Sequence, residues 1–207
     1  MHNAFIEQYL REMEQIAVIL RAKHQATIAH MLEILETVRE QHGRVFIAGV
    51  GGGAGTGSHA TGDFMKIGSI ATVNLSDNAT LLTALANDEG WSSIFVRQLE
   101  MHRFASNDCL CIFSVGGGTD TASPNLVEAI KYAQALAAPI IGVVGKDTGY
   151  AAQHGTAVLV IPAVAPERVT AHCESWQLVL DHLLVNALAQ TAAVVSPAAV
   201  VSTAQTR

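Results

Sequence analysis

Five short, largely apolar runs, each set off from the next by a stretch of helical periodicity, constrain this 207-residue chain most strongly. The runs are RVFIAGV (44–50), IATVNL (70–75), DCLCIFSV (108–115), PIIGVVG (139–145) and AVLVIP (157–162). A continuous apolar run such as 44–50, rather than an alternating one, marks a strand buried on both faces, and such strands belong to parallel sheets. Between them, residues 57–67, 79–87, 92–105, 123–137, 150–154 and 167–189 read as helices. Strands alternating with helices predict an α/β fold: a three-layer, doubly wound, five-stranded parallel sheet. Two further helices precede it. Ile6, Leu10, Met13, Ile16, Ala17 and Leu20 recur at helical spacing, and Ile28, Met31, Leu32, Leu35 and Val38 continue after a break near Lys23–Thr27. The expected division is 1–42 for the N-terminal helices, serving packing or oligomerisation, 43–192 for the sheet domain, and 193–207 for a flexible tail without periodicity.

Composition narrows the function classes. Half the residues are hydrophobic and 5% aromatic, so the core is aliphatic. A net charge of -6 argues against a broad basic face for nucleic acid. No apolar run reaches the ~20 residues that span a bilayer. The opening MHNAFIEQYLREMEQ is amphipathic and charged, unlike a secretory signal. Three cysteines without CxxC spacing do not make a disulfide framework; Cys109 and Cys111, two apart in an apolar run, read as small core residues. These features together predict a reduced, cytoplasmic protein.

Two of the predicted strands end in glycine runs: Gly49-Val-Gly-Gly-Gly-Ala-Gly-Thr-Gly57, and Ser114-Val-Gly-Gly-Gly-Thr119. Glycines let a backbone approach a ligand closely, and the free N–H groups of a following helix favour an anion. Such runs also serve as plain tight turns. A P-loop is excluded because no Gly-Lys-Ser/Thr follows, and a dinucleotide site lacks its acidic residue after the second strand, where Asn74 and Ser76 flank Leu75. Two glycine turns at one sheet edge favour a phosphate cradle.

With these motifs in place, the chain resembles the sugar isomerase (SIS) domain family, specifically its phosphoheptose isomerase subfamily, over nearly its whole length. The family's Gly-Asn-Gly-Gly-Ser loop corresponds to Gly49–Gly53, and its Ser-Thr-Ser-Gly-Asn-Ser loop to Ser114–Thr119. Asn87–Phe95 and Gly145–Gly149 match two further family segments. Gly53 replaces a serine, and Val115 and Gly116 replace two hydroxyl residues, so phosphate should be held more weakly or the ligand should differ. The resemblance implies phosphate or substrate contacts from Gly51, Gly52, Gly53, Asp88, Ser114, Gly116, Gly117 and Thr119.

The resemblance also marks a catalytic constellation. His59 and Asp63, four apart, share one helix face, where the family carries His and Glu. Glu174 and His182, eight apart in the last predicted helix, take the positions of a family Gln and His if about four extra residues precede that helix; an ungapped alignment would place Thr170 and Leu178 there. By spacing alone the first pair is equally an ordinary salt link, and His182 a buried or interface histidine. Two imidazoles and two carboxylates suit Zn²⁺ or a similar divalent ion, and the resemblance implies such a metal at His59, Asp63, Glu174 and His182. Eight helical residues rise about 12 Å, so Glu174 and His182 of one chain reach the same small site only from different subunits. That points to a site at a subunit interface, in a homotetramer as the resemblance suggests. The implied reaction is aldose–ketose isomerisation of sedoheptulose 7-phosphate through an enediol, with Asp63 or Glu174 as base and His182 as acid. The competing reading is a non-catalytic SIS module that binds a phosphosugar or a partner protein such as a replication initiator.

Overall fold

A computed structural model describes residues 2–195. It contains β1 (Arg44–Gly49), β2 (Ala71–Asn74), β3 (Cys109–Ser114), β4 (Ile140–Val144) and β5 (Ala157–Val160). All neighbouring strands pair in parallel, in the order β2-β1-β3-β4-β5. Every predicted apolar run therefore became a strand of the expected doubly wound sheet. The helices are α1 (His2–Lys23), α2 (Gln25–Glu40), α3 (Gly52–Lys66), α4 (Ala79–Asp88), α5 (Ile94–Met101), α6 (Pro124–Ala135), α7 (Tyr150–His154) and α8 (Val169–Val195). Residues 196–207, most of the expected tail, lie outside the described residues.

Alternate residues of each strand build two separate cores. Val45, Ile47, Cys111, Phe113, Ile141 and Val143 face α1, α2, α3 and α8, where they meet Leu20, Leu35, Phe64, Leu184 and Leu188. Phe46, Ala48, Leu110, Ile112, Ile140 and Val144 face the other way, onto Leu85, Phe95, Leu99, Leu126 and Ile130 of α4, α5 and α6. The three cysteines are free and buried, and burial pushes the Cys109 and Cys173 thiols up to about 12, as packing residues require.

Three local features depart from the sequence pattern. α3 begins at Gly52, five residues before the expected start, so the glycine run is itself helical. Helix interiors ordinarily disfavour glycine, but at two positions of this run a side chain has no room. A Cβ on Gly49 would stand 2.5 Å from the Gly53 carbonyl carbon and oxygen, and one on Gly53 would stand 2.1 Å from the Phe113 carbonyl oxygen. Close approach of α3 to β1 and β3 thus overrides propensity. Second, Trp91–Ser93 and Pro166–Arg168 form 3₁₀ turns at the starts of the helices expected from 92 and 167. Third, Ile6 and Leu10 on the apolar stripe of α1 are 53% and 61% exposed, whereas Ile16 and Leu20 on the same stripe are buried.

The chain reverses its winding at β1. It moves outward to β2, then returns across β1 to β3. Both glycine runs follow the carboxyl ends of these adjacent strands, at the switch point where open α/β sheets bind their ligands.

Candidate active site

α3 and α8 run side by side in the same direction. Gly52 at the start of α3 lies under Glu174, and His59 seven residues later lies against His182 eight residues after Glu174. A buried stripe on α8 (Cys173, Gln177, Leu180, Leu184, Leu188) holds this register against the sheet. Gln177 anchors it further by donating to the Val143 carbonyl at 3.0 Å.

Three of the side chains implied for the metal converge within one chain. His59 Nε2 lies 2.9 Å from His182 Nε2 and 3.2 Å from Asp63 Oδ2, and His182 Nε2 lies 3.4 Å from the same oxygen. Four donors about 2.0–2.1 Å from a Zn²⁺ ion in tetrahedral array stand about 3.3–3.4 Å apart, so this triangle fits one face of such a set. The chemistry fits too, because two imidazole nitrogens with carboxylate oxygens suit zinc and its transition-metal neighbours better than magnesium. Both imidazoles are half-exposed, so the cluster opens to the surface.

Sequence reasoning missed a fourth member. Asp181 is wholly buried, and one of its oxygens lies within 4.8 Å of the donor atoms of His59, Asp63 and His182. Burial, and after it the charge of Asp63, pushes its carboxyl up to about 7. The signal was present in the sequence: 177, 181, 184 and 188 follow helical spacing, so an acid at 181 occupies a core position.

Glu174 stands apart from this cluster. A Cβ built on Gly52 would come within 2.2–2.4 Å of its carboxylate, so the acid rests on the bare amino end of α3. The positive end of the helix dipole favours an anion there. Gly51, with φ of 62°, turns the chain into that end. Gly53, counted with Gly51 and Gly52 as a phosphate contact, is buried within α3 against Phe113.

The second glycine turn is tied down by its own hydrogen bonds, the Thr119 N–H among them donating to the Ala122 carbonyl at 2.7 Å. Gly117 and Gly118 adopt positive φ (73° and 85°), and their carbonyls accept from Ala151 and Tyr150 of α7. The Ser114 hydroxyl accepts from the Gly117 N–H at 3.0 Å. Gly116 packs on Gly149, and Thr119 closes a local turn in which its hydroxyl accepts from the Ala122 N–H at 2.9 Å. Asp88 ends α4, exposed, accepting from Asn87 and outside the cluster. Between the two turns, Asn74 donates to Asp77 at 2.7 Å and to the Ala54 carbonyl at 3.3 Å, tying the end of β2 to α3.

A family model described as the SIS domain matches residues 8–145. This chain belongs to the SIS domain family. A phosphoheptose isomerase of Trichlorobacter lovleyi is 26% identical to it over 193 residues, 91% of this chain and 94% of that protein. Another, of Helicobacter pylori, is 25% identical over 191 residues. Among solved structures, the phosphoheptose isomerase of Neisseria gonorrhoeae superposes with a TM-score of 0.80 at 21% identity, covering 91% of this SIS chain and 99% of that one. The fold of this chain thus recurs in a solved structure. No described helix of this SIS chain is long and apolar enough to cross a membrane.

Proposed function

We propose that this SIS chain is a phosphosugar isomerase of the phosphoheptose type, interconverting the ketose sedoheptulose 7-phosphate and an aldose heptose 7-phosphate through an enediol. The observation that carries the reading is the convergence of His59, Asp63 and His182 from α3 and α8, with nitrogen and oxygen atoms 2.9–3.4 Å apart. A plain surface salt link needs one such contact, not three that share two ring nitrogens and one oxygen.

Isomerisation moves one proton between adjacent carbons and another between the two oxygens they carry, so it needs a base, an acid and charge stabilisation at the oxygen. A divalent cation held by His59, Asp63 and His182 would polarise the substrate carbonyl. His182 joins the cluster through Nε2, which leaves the Nδ1 side of its half-exposed ring to shuttle the oxygen proton. Asp63 sits between both imidazoles and is committed to the cluster. Glu174 is the base that remains. The helical rise separates it from His182 of its own chain by about 12 Å, so it serves a cluster on a second copy. The pocket is thereby proposed to lie between subunits of a homo-oligomer, expected to be a tetramer. The Ser114 hydroxyl and the amides of Gly116 and Gly118 hold the phosphate, with the Gly117 N–H fixing Ser114 and Thr119 shaping the loop.

One observation favours the non-catalytic alternative. Gly53 leaves no space for the family's serine beside Phe113, which removes one hydroxyl from the phosphate contacts. Assay of the full chain with sedoheptulose 7-phosphate, with added Zn²⁺ or chelator, separates the two readings. Turnover is expected, suppressed by chelator and reduced by two or more orders of magnitude in Asp63→Ala. Phosphosugar binding without turnover, in the presence of Zn²⁺, would instead establish a binding module.

A further inference from the structure

Three carboxylates are buried among the described residues: Glu12, Asp108 and Asp181. Two of them hold an arginine. Glu12 takes Arg168 in a two-pronged contact at 2.8 and 2.5 Å, and Asp108 takes Arg44 at 3.1 and 2.7 Å. Asp181 has nothing comparable: it is 0% exposed, and neither oxygen meets a hydrogen-bond partner among the described residues. A bare carboxylate in a protein interior either takes up a proton or is compensated by a cation, because desolvation of the charge is costly. The fixed groups nearest Asp181 are Asp63, which repels it, and the half-exposed rings of His59 and His182.

We propose that Asp181 is the fourth protein donor of the divalent-cation site, completing with His59, Asp63 and His182 a two-imidazole, two-carboxylate set drawn from one chain. The inference rests on reading that cluster as a metal centre. One dication then neutralises both carboxylates, removing the repulsion between Asp63 and Asp181. The set needs no contribution from Glu174, whose carboxylate lies about two helical turns away over Gly52. Glu174 is thereby free to move protons, a role that a metal ligand performs poorly because its lone pairs are engaged. The assignment divides the acids of the site into two that hold charge and one that transfers it.

Cobalt titration of metal-free full chain tests this, because Co²⁺ substitutes for Zn²⁺ and reports its own coordination in visible absorption. The wild-type chain is expected to take up one Co²⁺ with a visible band. Asp181→Asn, nearly isosteric, should raise the Co²⁺ dissociation constant ~10- to 100-fold or more and change that band. Without metal, Asp181→Asn should melt at or above the wild-type temperature, since it removes an unpartnered charge; added Zn²⁺ should then raise the melting temperature of wild type more than that of the variant. Asp181→Cys should introduce a thiolate-to-cobalt charge-transfer band that wild type, with its three buried cysteines, lacks. An unchanged dissociation constant and spectrum in Asp181→Asn, no thiolate band in Asp181→Cys, or a metal-free Asp181→Asn that melts well below wild type would each overturn the assignment. A wild-type chain that binds no Co²⁺ would overturn the metal reading itself along with it, and so distinguishes the two failures.

Discussion

At Gly52 a missing methyl group decides where an acid can sit. The backbone there is ordinary helix, with the positive φ confined to Gly51, so alanine is sterically acceptable to α3 itself. Its Cβ would displace only the far end of the Glu174 side chain. Gly52→Ala should therefore keep or slightly raise stability, by about 0.5–1 kcal/mol from helix propensity, while lowering isomerase turnover at least tenfold. Gly55→Ala is the control, because a Cβ at Gly55 meets nothing within 4 Å. It should gain the same stability and keep its turnover, as thermal melts and steady-state rates will show. Equal activity in both variants would detach Glu174 from the reaction. The residue scale is also where the sequence was hardest to read. The convergence of His59, Asp63 and His182 was legible because spacing and resemblance carried them, whereas Glu174, expected at the same metal, stands apart over Gly52. Asp181 was not, since an acid beside a histidine in Val-Leu-Asp-His reads as solvent face until α8 is phased by its neighbours. Gly53 was legible as a lost hydroxyl, but the Phe113 carbonyl that forbids a side chain there is 60 residues away in sequence.

Between elements, one polar contact fixes α1 to the start of α8. Glu12, buried on α1, accepts from Arg168 in the 3₁₀ turn ahead of α8, and its Oε2 lies 3.1 Å from Nε2 of buried His172. The Arg168 guanidinium holds the Glu12 carboxyl below its ordinary value. A folded-state value depressed in this way stabilises the protein above the ordinary glutamate range near 4.5 and is lost as pH falls through the folded value. Glu12→Gln should accordingly melt lower than wild type at neutral pH, with the difference shrinking toward pH 4 and below, measurable by thermal melts across that range. A pH-independent difference would mean that the contact acts through packing alone. The central strands were the most legible elements, because burial on both faces leaves a nearly uninterrupted apolar run, whereas the edge strands β2 and β5 are fully buried only at alternate positions. α3 was legible only in its second half. Its first turns are written in glycine, and local propensity yields there to the tightness of the helix–sheet contact, which no local pattern records.

The whole molecule raises a question that neither residue nor element answers: one chain carries both halves of the proposed chemistry, but not within reach of each other. His59 and His182 face outward, and on the same helix as His182 the apolar Leu178, Val179 and Leu183 are 37–44% exposed. Apolar side chains beside a half-exposed polar cluster favour a covered surface in the assembled protein. If a second copy covers it and brings its own Glu174 to the cluster, each active site is shared, and two differently crippled chains can repair one another. Asp63→Ala and Glu174→Gln should each be nearly inactive alone. Dissociated, mixed and reassembled, they should regain a substantial fraction of wild-type turnover, because a mixed pair contains one site with an intact Asp63 and an intact Glu174. The same mixture should regain nothing if both acids act within one chain, since every chain then lacks one of them. Sedimentation of the reassembled material, run beside the assay, separates failure to reassociate from failure to complement. Leu183→Glu sharpens the result: placed on the covered surface, it should shift the protein toward monomer and remove turnover together, while the metal-binding cluster on each separate chain stays competent to take up Co²⁺.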